Sequence, residues 1–153
     1  MKTFKKETAA ILIQLRGSLW APHPEVADVI SEYEHFERAG KTPHQERRVS
    51  LQIFHASRAI DSLLAHVVTH EASKPLKQPA PPIMTLGSSQ IYIRDHSIDG
   101  QQLAATADAE LTDIRNDRNL YLHKANLFPA DGTIQSFLDK TIRIISAVSN
   151  FNP

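Results

Sequence analysis

Residues 49–67 read VSLQIFHASRAIDSLLAHV, and apolar residues recur in this run every three or four positions. That spacing places them on one face of a helix. The face consists of Val49, Ile53, Ala56, Ile60, Leu63, Leu64 and Val67. Just upstream, Thr42-Pro43-His44-Gln45 resembles a capping box with proline at the first helical position. We therefore predict a long helix from Thr42 to about Glu71.

The same helical spacing continues on both sides of this run. Upstream, it predicts one helix from about Thr3 to Trp20, with Leu19 on its inner face, and a second helix from Pro24 to Gly40. Downstream, it predicts a helix from about Asp99 or Gly100 to Asn126 and a last helix from Asp131 to near Asn150. Asp131 is expected to cap this last helix through its side chain.

Prolines at positions 75, 79, 81 and 82 separate the third predicted helix from the fourth. Proline has no backbone N–H to donate, so we predict one long Pro-rich loop over about 73–98. Ile91-Tyr92-Ile93 is expected to form a short extended piece inside it. Strand alternation is otherwise nearly absent. The sequence therefore predicts an all-α fold, an antiparallel bundle of four to five helices in a single domain over residues 1–153.

Composition excludes several classes of function. Lys and Arg number 17 and are balanced by 17 Asp and Glu, so no overall positive field would attract nucleic acid, and any RNA binding has to be local. Cysteine is absent, which excludes a thiol nucleophile and a thiolate zinc site. No run of eighteen apolar residues occurs, so we expect no membrane span and a cytoplasmic location. Phosphate-binding and dinucleotide-binding glycine motifs are missing, and no cofactor is expected.

The densest polar signal is RNDRNLYLH at residues 115–123, near the end of the fourth predicted helix. Within it, Arg118 and Asn119 precede His123 by five and four positions. Arginines with a histidine five to seven positions later also occur at Arg16, Arg38 and Arg48, but only Arg118 is followed directly by a polar residue. We call residues 115–123 the motif.

The motif resembles the Arg-x4-6-His signature of HEPN-domain ribonucleases. A second segment, Ala56 to Leu64, is similar to an earlier helix of that family through Arg58 and Asp61. The resemblance implies a HEPN-like bundle, a homodimer and an RNA substrate, with Arg58 and Asp61 in supporting positions. It also implies a toxin or phage-defence effector, with an antitoxin or a nucleotidyltransferase-like protein as partner.

The motif residues suit metal-independent RNA cleavage. A histidine can accept or donate a proton near neutral pH, and an arginine offers a fixed charge and a planar fork of donors to a phosphate. His123 is therefore the candidate acid or base, and Arg118 the phosphate stabiliser. Asn119 would position the phosphate or orient His123. Arg115 would bind a neighbouring phosphate, and Tyr121 would stack on a base.

Helix geometry bears on how the motif could work. At about 100° per residue, Arg118 lies about 140° from His123 around the helix, so the two side chains do not readily form one site in a single chain. Two copies related by a twofold axis can bring both residue types to a shared cleft.

Two other interpretations remain open. The motif can be a polar helix end, in which the helix dipole favours the cations and Asp117 pairs with a neighbouring arginine. The domain can also be a non-catalytic interaction module that binds a nucleotidyltransferase-like or effector protein. Separately, His66 and His70 lie four positions apart with Glu71 beside them, a spacing that can share a metal ion, but no third ligand is identifiable. Two solvated histidines are the preferred interpretation, and no metal is assigned.

Overall fold

A computed structural model describes residues 3–124 and 126–153, and helices form most of this part of the chain. The helices are α1 (Lys5–Gly17), α2 (Pro24–Ala39), α3 (Gln45–Ala72), α4 (Leu86–His96), α5 (Ala105–His123) and α6 (Asp131–Ser149). The predicted all-α class is confirmed. The predicted number of four to five helices is wrong, because the described residues form six.

The long helix α3 lies at the centre of the bundle. It packs against α2, α4, α5 and α6, and all seven positions of its predicted apolar face are buried. One hydrophobic core includes residues from all six helices. Burial of such faces is the main force that holds amphipathic helices together. No helix in the described part of the chain combines the length and apolar character that crossing a membrane requires.

Two helix boundaries differ from their predictions. The capping box at Thr42 is not formed, because His44 has extended backbone angles and the helix begins at Gln45. The first helix ends at Gly17 rather than Trp20, so Leu19 lies outside it and is exposed. Trp20 is nevertheless buried, in the connection between α1 and α2.

Helix α4 lies within the region that was predicted to be a loop. Thr85 caps it, since its side chain accepts a hydrogen bond from the Ser88 backbone while the Ser88 hydroxyl accepts one from the Thr85 backbone. This reciprocal pair stabilises the first turn. The predicted loop over 73–98 is therefore wrong in its second half, and Ile91-Tyr92-Ile93 is helical rather than extended.

A tight turn, rather than helix, follows α4. Ile98 and Gln101 exchange two backbone hydrogen bonds of 2.7 and 2.8 Å, and Asp99 and Gly100 between them both have positive φ. Such a turn cannot continue a right-handed helix, so α5 begins only at Ala105 and ends at His123 instead of Asn126. Residue Ala125, which the prediction included in this helix, lies outside the described residues.

The start of α6 corrects one further prediction. Ala130 occupies the capping position, and Asp131 is the first helical residue, with no side-chain capping bond at this end. The Asp131 carboxylate instead lies 3.8 Å from the guanidinium of Arg48, a buried residue in the first turn of α3. This ion pair joins the beginnings of α3 and α6.

Candidate functional site

The motif occupies the last two and a half turns of α5, and one of its arginines is tied to α3. Arg118 Nη2 lies 3.5 Å from Asp61 Oδ2, and each side chain is about one quarter exposed, at 27%. Burial raises the pKa of Asp61 above its ordinary value, and the Arg118 charge partly offsets that effect. The pair fixes the direction of the Arg118 side chain while leaving part of it open to solvent.

Asn119 and His123 lie one turn apart on α5, and both are exposed. His123 makes no hydrogen bond or ion pair with any other described residue. A pair between Asp117 and a neighbouring arginine is likewise not found within residues 3–124 and 126–153. Burial raises the pKa of Asp117, Lys140 on α6 lowers it, and Asp113 raises it.

Arg115 and Tyr121 are both partly buried. The Arg115 side chain passes over the first turn of α4, where a Cβ added to Gly87 would lie 3.3 Å from Nη1 of Arg115. Tyr121 packs against the hydrophobic core, so only part of its ring is available for stacking.

Arg58 is not brought to the motif. Its Nε lies 3.2 Å from Glu32 Oε1 on α2, and its guanidinium lies 5.6 Å from the ring centre of Phe54. The other Glu32 oxygen is 2.8 Å from His55 Nδ1. Asp61 therefore contacts the motif, whereas Arg58 joins α3 to α2.

Two surface clefts lie away from the motif. One is lined by residues at the start of α1 and the end of α2, and the other lies between the end of α4 and the start of α5. Neither is lined by any residue from Arg115 to His123.

Near the carboxyl end of α3, His66 and His70 are partly buried rather than solvated, and they cluster with His23 and Glu25, which the sequence analysis did not connect with them. His23 Nδ1 and His66 Nε2 are 2.9 Å apart and share a hydrogen bond, and Glu25 Oε2 lies 3.7 Å from His66 Nδ1. One ligand atom from each of these three residues lies within 4.8 Å of the others. His70 stands one helical turn beyond His66, with its ring centre 5.1 Å from that of His23. His23, the capping residue of α2, and Glu25 in its first turn are therefore two further candidate ligands beside His66.

His66 and His70 favour their neutral forms. Burial lowers the pKa of His66, with Glu25 acting against this and His23 and His70 adding to it. Burial also lowers the pKa of His70, and the nearby His23 and Lys74 act in the same direction. Neutral imidazoles retain a free nitrogen lone pair, which is the form that binds metals.

Glu71 does not belong to the cluster, although it is adjacent to His70 in sequence. Its carboxylate is buried and lies 2.8 Å from Lys74 Nζ and 2.7 Å from Lys77 Nζ. Burial acts to raise the pKa of Glu71, but hydrogen bonds from both lysines and from the Asp99 backbone outweigh it and lower the pKa from its ordinary value. Glu71 therefore anchors the segment after α3 rather than a metal.

This anchoring predicts a specific pH dependence of stability. Because the folded pKa of Glu71 is lowered, its contribution to stability is present above about pH 4.5 and is lost as the pH falls further. In a Lys74→Met, Lys77→Met double variant both cations are lost, and burial raises the pKa of Glu71. The charged, unpaired carboxylate then destabilises the fold at pH 7, and its protonation at lower pH should restore part of the lost stability. Urea unfolding between pH 7 and pH 4 should show the stability gap between wild type and variant narrowing on acidification. A gap that stays constant or widens contradicts this role of Glu71.

Comparison of the chain with models of known protein families, with curated proteins and with solved structures gives no significant match.

Proposed function

We propose that the protein is a metal-independent endoribonuclease of HEPN type with an antiparallel HEPN-like bundle. In this proposal it acts in the cytoplasm as a homodimer, as a toxin or a phage-defence effector. The proposal rests on the arrangement of three side chains in the motif. Arg118 is held by Asp61 on α3 and keeps part of its guanidinium accessible, while Asn119 and His123 stand exposed one turn apart.

The proposed reaction is a transesterification within RNA. A base removes the proton of a 2′ hydroxyl, the 2′ oxygen attacks the adjacent phosphorus, and the bond from phosphorus to the 5′ oxygen breaks. An acid then supplies a proton to that 5′ oxygen. The products are a 2′,3′-cyclic phosphate and a 5′ hydroxyl, and no oxidant or metal is needed. His123 serves as the acid or base, because imidazole transfers protons near neutral pH.

Arg118 stabilises the charge that grows on the phosphate oxygens in the transition state. A guanidinium that is already oriented by another group loses less entropy when it binds a phosphate, and this favours a preorganised site. The contact with Asp61 supplies such an orientation. During binding, a phosphate oxygen would share the guanidinium with this carboxylate or displace the carboxylate from it. Asn119 positions the phosphate, Arg115 contacts a neighbouring one, and the accessible part of Tyr121 contacts a base.

The placement of the two main groups around α5 supports the homodimer of this proposal. Arg118 faces α3, whereas His123 lies about 140° further around the helix and is exposed. Pairing of two copies would place the His123 of one chain beside the Arg118 of the other, through a self-complementary interface. Leu127 and Phe128, which follow the motif closely, are both more than one third exposed and offer apolar surface for that contact.

The proposal is tested by incubating tag-free protein with a mixed-sequence RNA oligonucleotide in excess chelator. We expect fragments that end in a 2′,3′-cyclic phosphate. The matched 2′-O-methyl oligonucleotide should stay intact, because it lacks the attacking hydroxyl. Light scattering at micromolar concentration should give the mass of a dimer. Absence of cleavage above the protein-free control, or a strict monomer, overturns the proposal.

The second candidate is a non-catalytic HEPN-like interaction module. The ion pair between Arg118 and Asp61 favours it, because it already satisfies the arginine inside a single chain. In that case the exposed stripe of Asn119 and His123 would contact a protein, such as a nucleotidyltransferase-like partner or an antitoxin. The chelator assay separates the two candidates, since only the enzyme cleaves RNA.

A further inference from the structure

We propose that His23, Glu25, His66 and His70 form a binding site for one zinc ion, which joins the start of α2 to the second half of α3. This inference does not rest on RNA cleavage, and it concerns residues outside the motif. It starts from the three residues whose ligand atoms already lie within 4.8 Å of one another: His23, Glu25 and His66.

The spacing of the imidazole rings fits a shared ion. With bonds of about 2.0–2.1 Å to a tetrahedral zinc, the centres of two ligating imidazoles lie roughly 5 Å apart. The ring centres of His23 and His66 are 5.0 Å apart, those of His23 and His70 are 5.1 Å apart, and those of His66 and His70 are 6.2 Å apart. Among the three rings, only His70 therefore has to move appreciably toward the others. Glu25, whose Oε2 lies 3.7 Å from the other His66 nitrogen, Nδ1, would turn toward the Nε2 side to join them.

The nitrogen atoms are also close to their required separation. His23 Nδ1 and His66 Nε2 lie 2.9 Å apart. Two nitrogens on one tetrahedral zinc lie about 3.3 Å apart, so a small rotation of either ring would admit the ion. Without metal this nitrogen pair shares a single proton. Zinc binding would replace that proton and engage both lone pairs.

His70 supplies an independent indication of a ligand. Its Nδ1 atom is buried and has no hydrogen-bond partner among the described residues. A buried polar nitrogen without a partner is costly, and coordination would satisfy it. The ring of Trp20 lies 5.2 to 5.6 Å from all three imidazole rings and forms an apolar wall beside them.

The donor set selects the class of metal. Three imidazoles and one carboxylate suit zinc and related divalent ions, whereas magnesium and calcium prefer oxygen ligands. Four protein ligands leave no open position, which is typical of a structural site rather than a catalytic one. The ion would therefore stabilise the contact between α2 and α3.

The decisive experiment measures zinc binding by tag-free protein. After treatment with chelator and dialysis against micromolar zinc, mass spectrometry of the metal content should find one zinc per chain. His23→Asn removes one ligand but keeps a good capping residue for α2, so this variant should fold. The matched control is His44→Asn, since His44 caps α3 with similar extended backbone angles and no side-chain cap.

We expect His23→Asn to weaken zinc binding by more than the roughly 10- to 100-fold that follows loss of an outer partner. Glu25→Gln, at an exposed position where folding is not at risk, should weaken it by at least 10-fold. His44→Asn should bind like wild type. Zinc at 100 times its dissociation constant should raise the wild-type melting temperature by about 5–10 °C.

A second readout reports the location of the ion directly. Trp20 is the single tryptophan of the chain, and Ni²⁺ bound among the three histidines should quench its fluorescence. Zinc should reverse this quenching by competition. The site is refuted if wild type retains no stoichiometric zinc, if His23→Asn and Glu25→Gln bind like wild type, or if His44→Asn loses zinc equally.

Discussion

Replacing Arg118 or His123 by alanine is expected to reduce RNA cleavage at least about 100-fold. Loss of a proton-transfer group costs about 10²- to 10⁴-fold in rate, and loss of one group that stabilises transition-state charge costs about 10²- to 10³-fold. Initial rates on a labelled oligonucleotide in chelator measure both effects. Arg118→Lys should remain well below wild type, because lysine keeps the charge but lacks the planar fork of donors.

Arg38→Ala and His44→Ala are matched controls for these variants. This pair has the same kind of spacing as Arg118 and His123, and both side chains are exposed. Arg38 pairs with Glu34 on its own helix, at 3.6 Å, and Ala39 rather than a polar residue follows it. Both controls should cleave RNA like wild type. Equal residual activity in all four variants would mean that the motif is not the source of cleavage.

Mixing two inactive variants tests whether the cleft is shared between chains. In a heterodimer of Arg118→Ala and His123→Ala, one of the two clefts contains an intact arginine and an intact histidine. When equal amounts of the two variants exchange subunits at random, about half of the dimers are heterodimers. Each heterodimer has one intact cleft out of two, so about one quarter of wild-type activity should return. If both residues act within one chain, mixing restores nothing, and the shared cleft is excluded while cleavage itself is not.

The sequence predicts α3 well because its fold depends on local periodicity. Its apolar face repeats through many turns without proline or glycine, so periodicity and propensity agree with burial. Its start differs by three positions, at Gln45 rather than Thr42, since His44 has an extended backbone.

Helix α4 was not predictable in the same way. The buried residues of this helix are Leu86, Ser89, Gln90, Tyr92 and Ile93, and two of these five, Ser89 and Gln90, are polar. Gln90 can be buried because its Nε2 donates to the Asp108 carbonyl and to Thr112 on α5, at 3.0 and 2.8 Å. Those partners come from tertiary packing, which a pattern of apolar residues does not contain.

The candidate sites show the same division between local and tertiary information. The spacing of His66 and His70 is visible in sequence because one helix carries both. His23 lies 43 positions before His66, and only the packing of α2 on α3 brings them together. Likewise, Asp61 and Arg118 are 57 positions apart. The resemblance to HEPN helices pointed to both residues, but it did not indicate that their side chains are in contact.

Replacing Trp20 by alanine is expected to destabilise the fold by about 3–5 kcal/mol, as for other large buried aromatic residues. Trp20 lies in the connection between α1 and α2, is 1% exposed, and packs against the histidine cluster. Its Nε1 also donates a hydrogen bond of 3.0 Å to the Phe151 carbonyl, which fixes the segment after α6. Urea unfolding should be followed by far-ultraviolet circular dichroism, because the variant has no tryptophan fluorescence.

Trp20→Phe separates packing from the hydrogen bond. Phenylalanine keeps much of the buried area but cannot donate, so the buried Phe151 carbonyl loses its partner at a cost of about 1–3 kcal/mol. The adjacent Leu19→Ala is the matched control, since Leu19 is 54% exposed and should change stability by less than about 0.5 kcal/mol. If Leu19→Ala costs as much as Trp20→Ala, the indole is not the residue that joins these segments. If Trp20→Phe is neutral, packing alone holds the segment after α6, because the bond to Phe151 then adds nothing measurable.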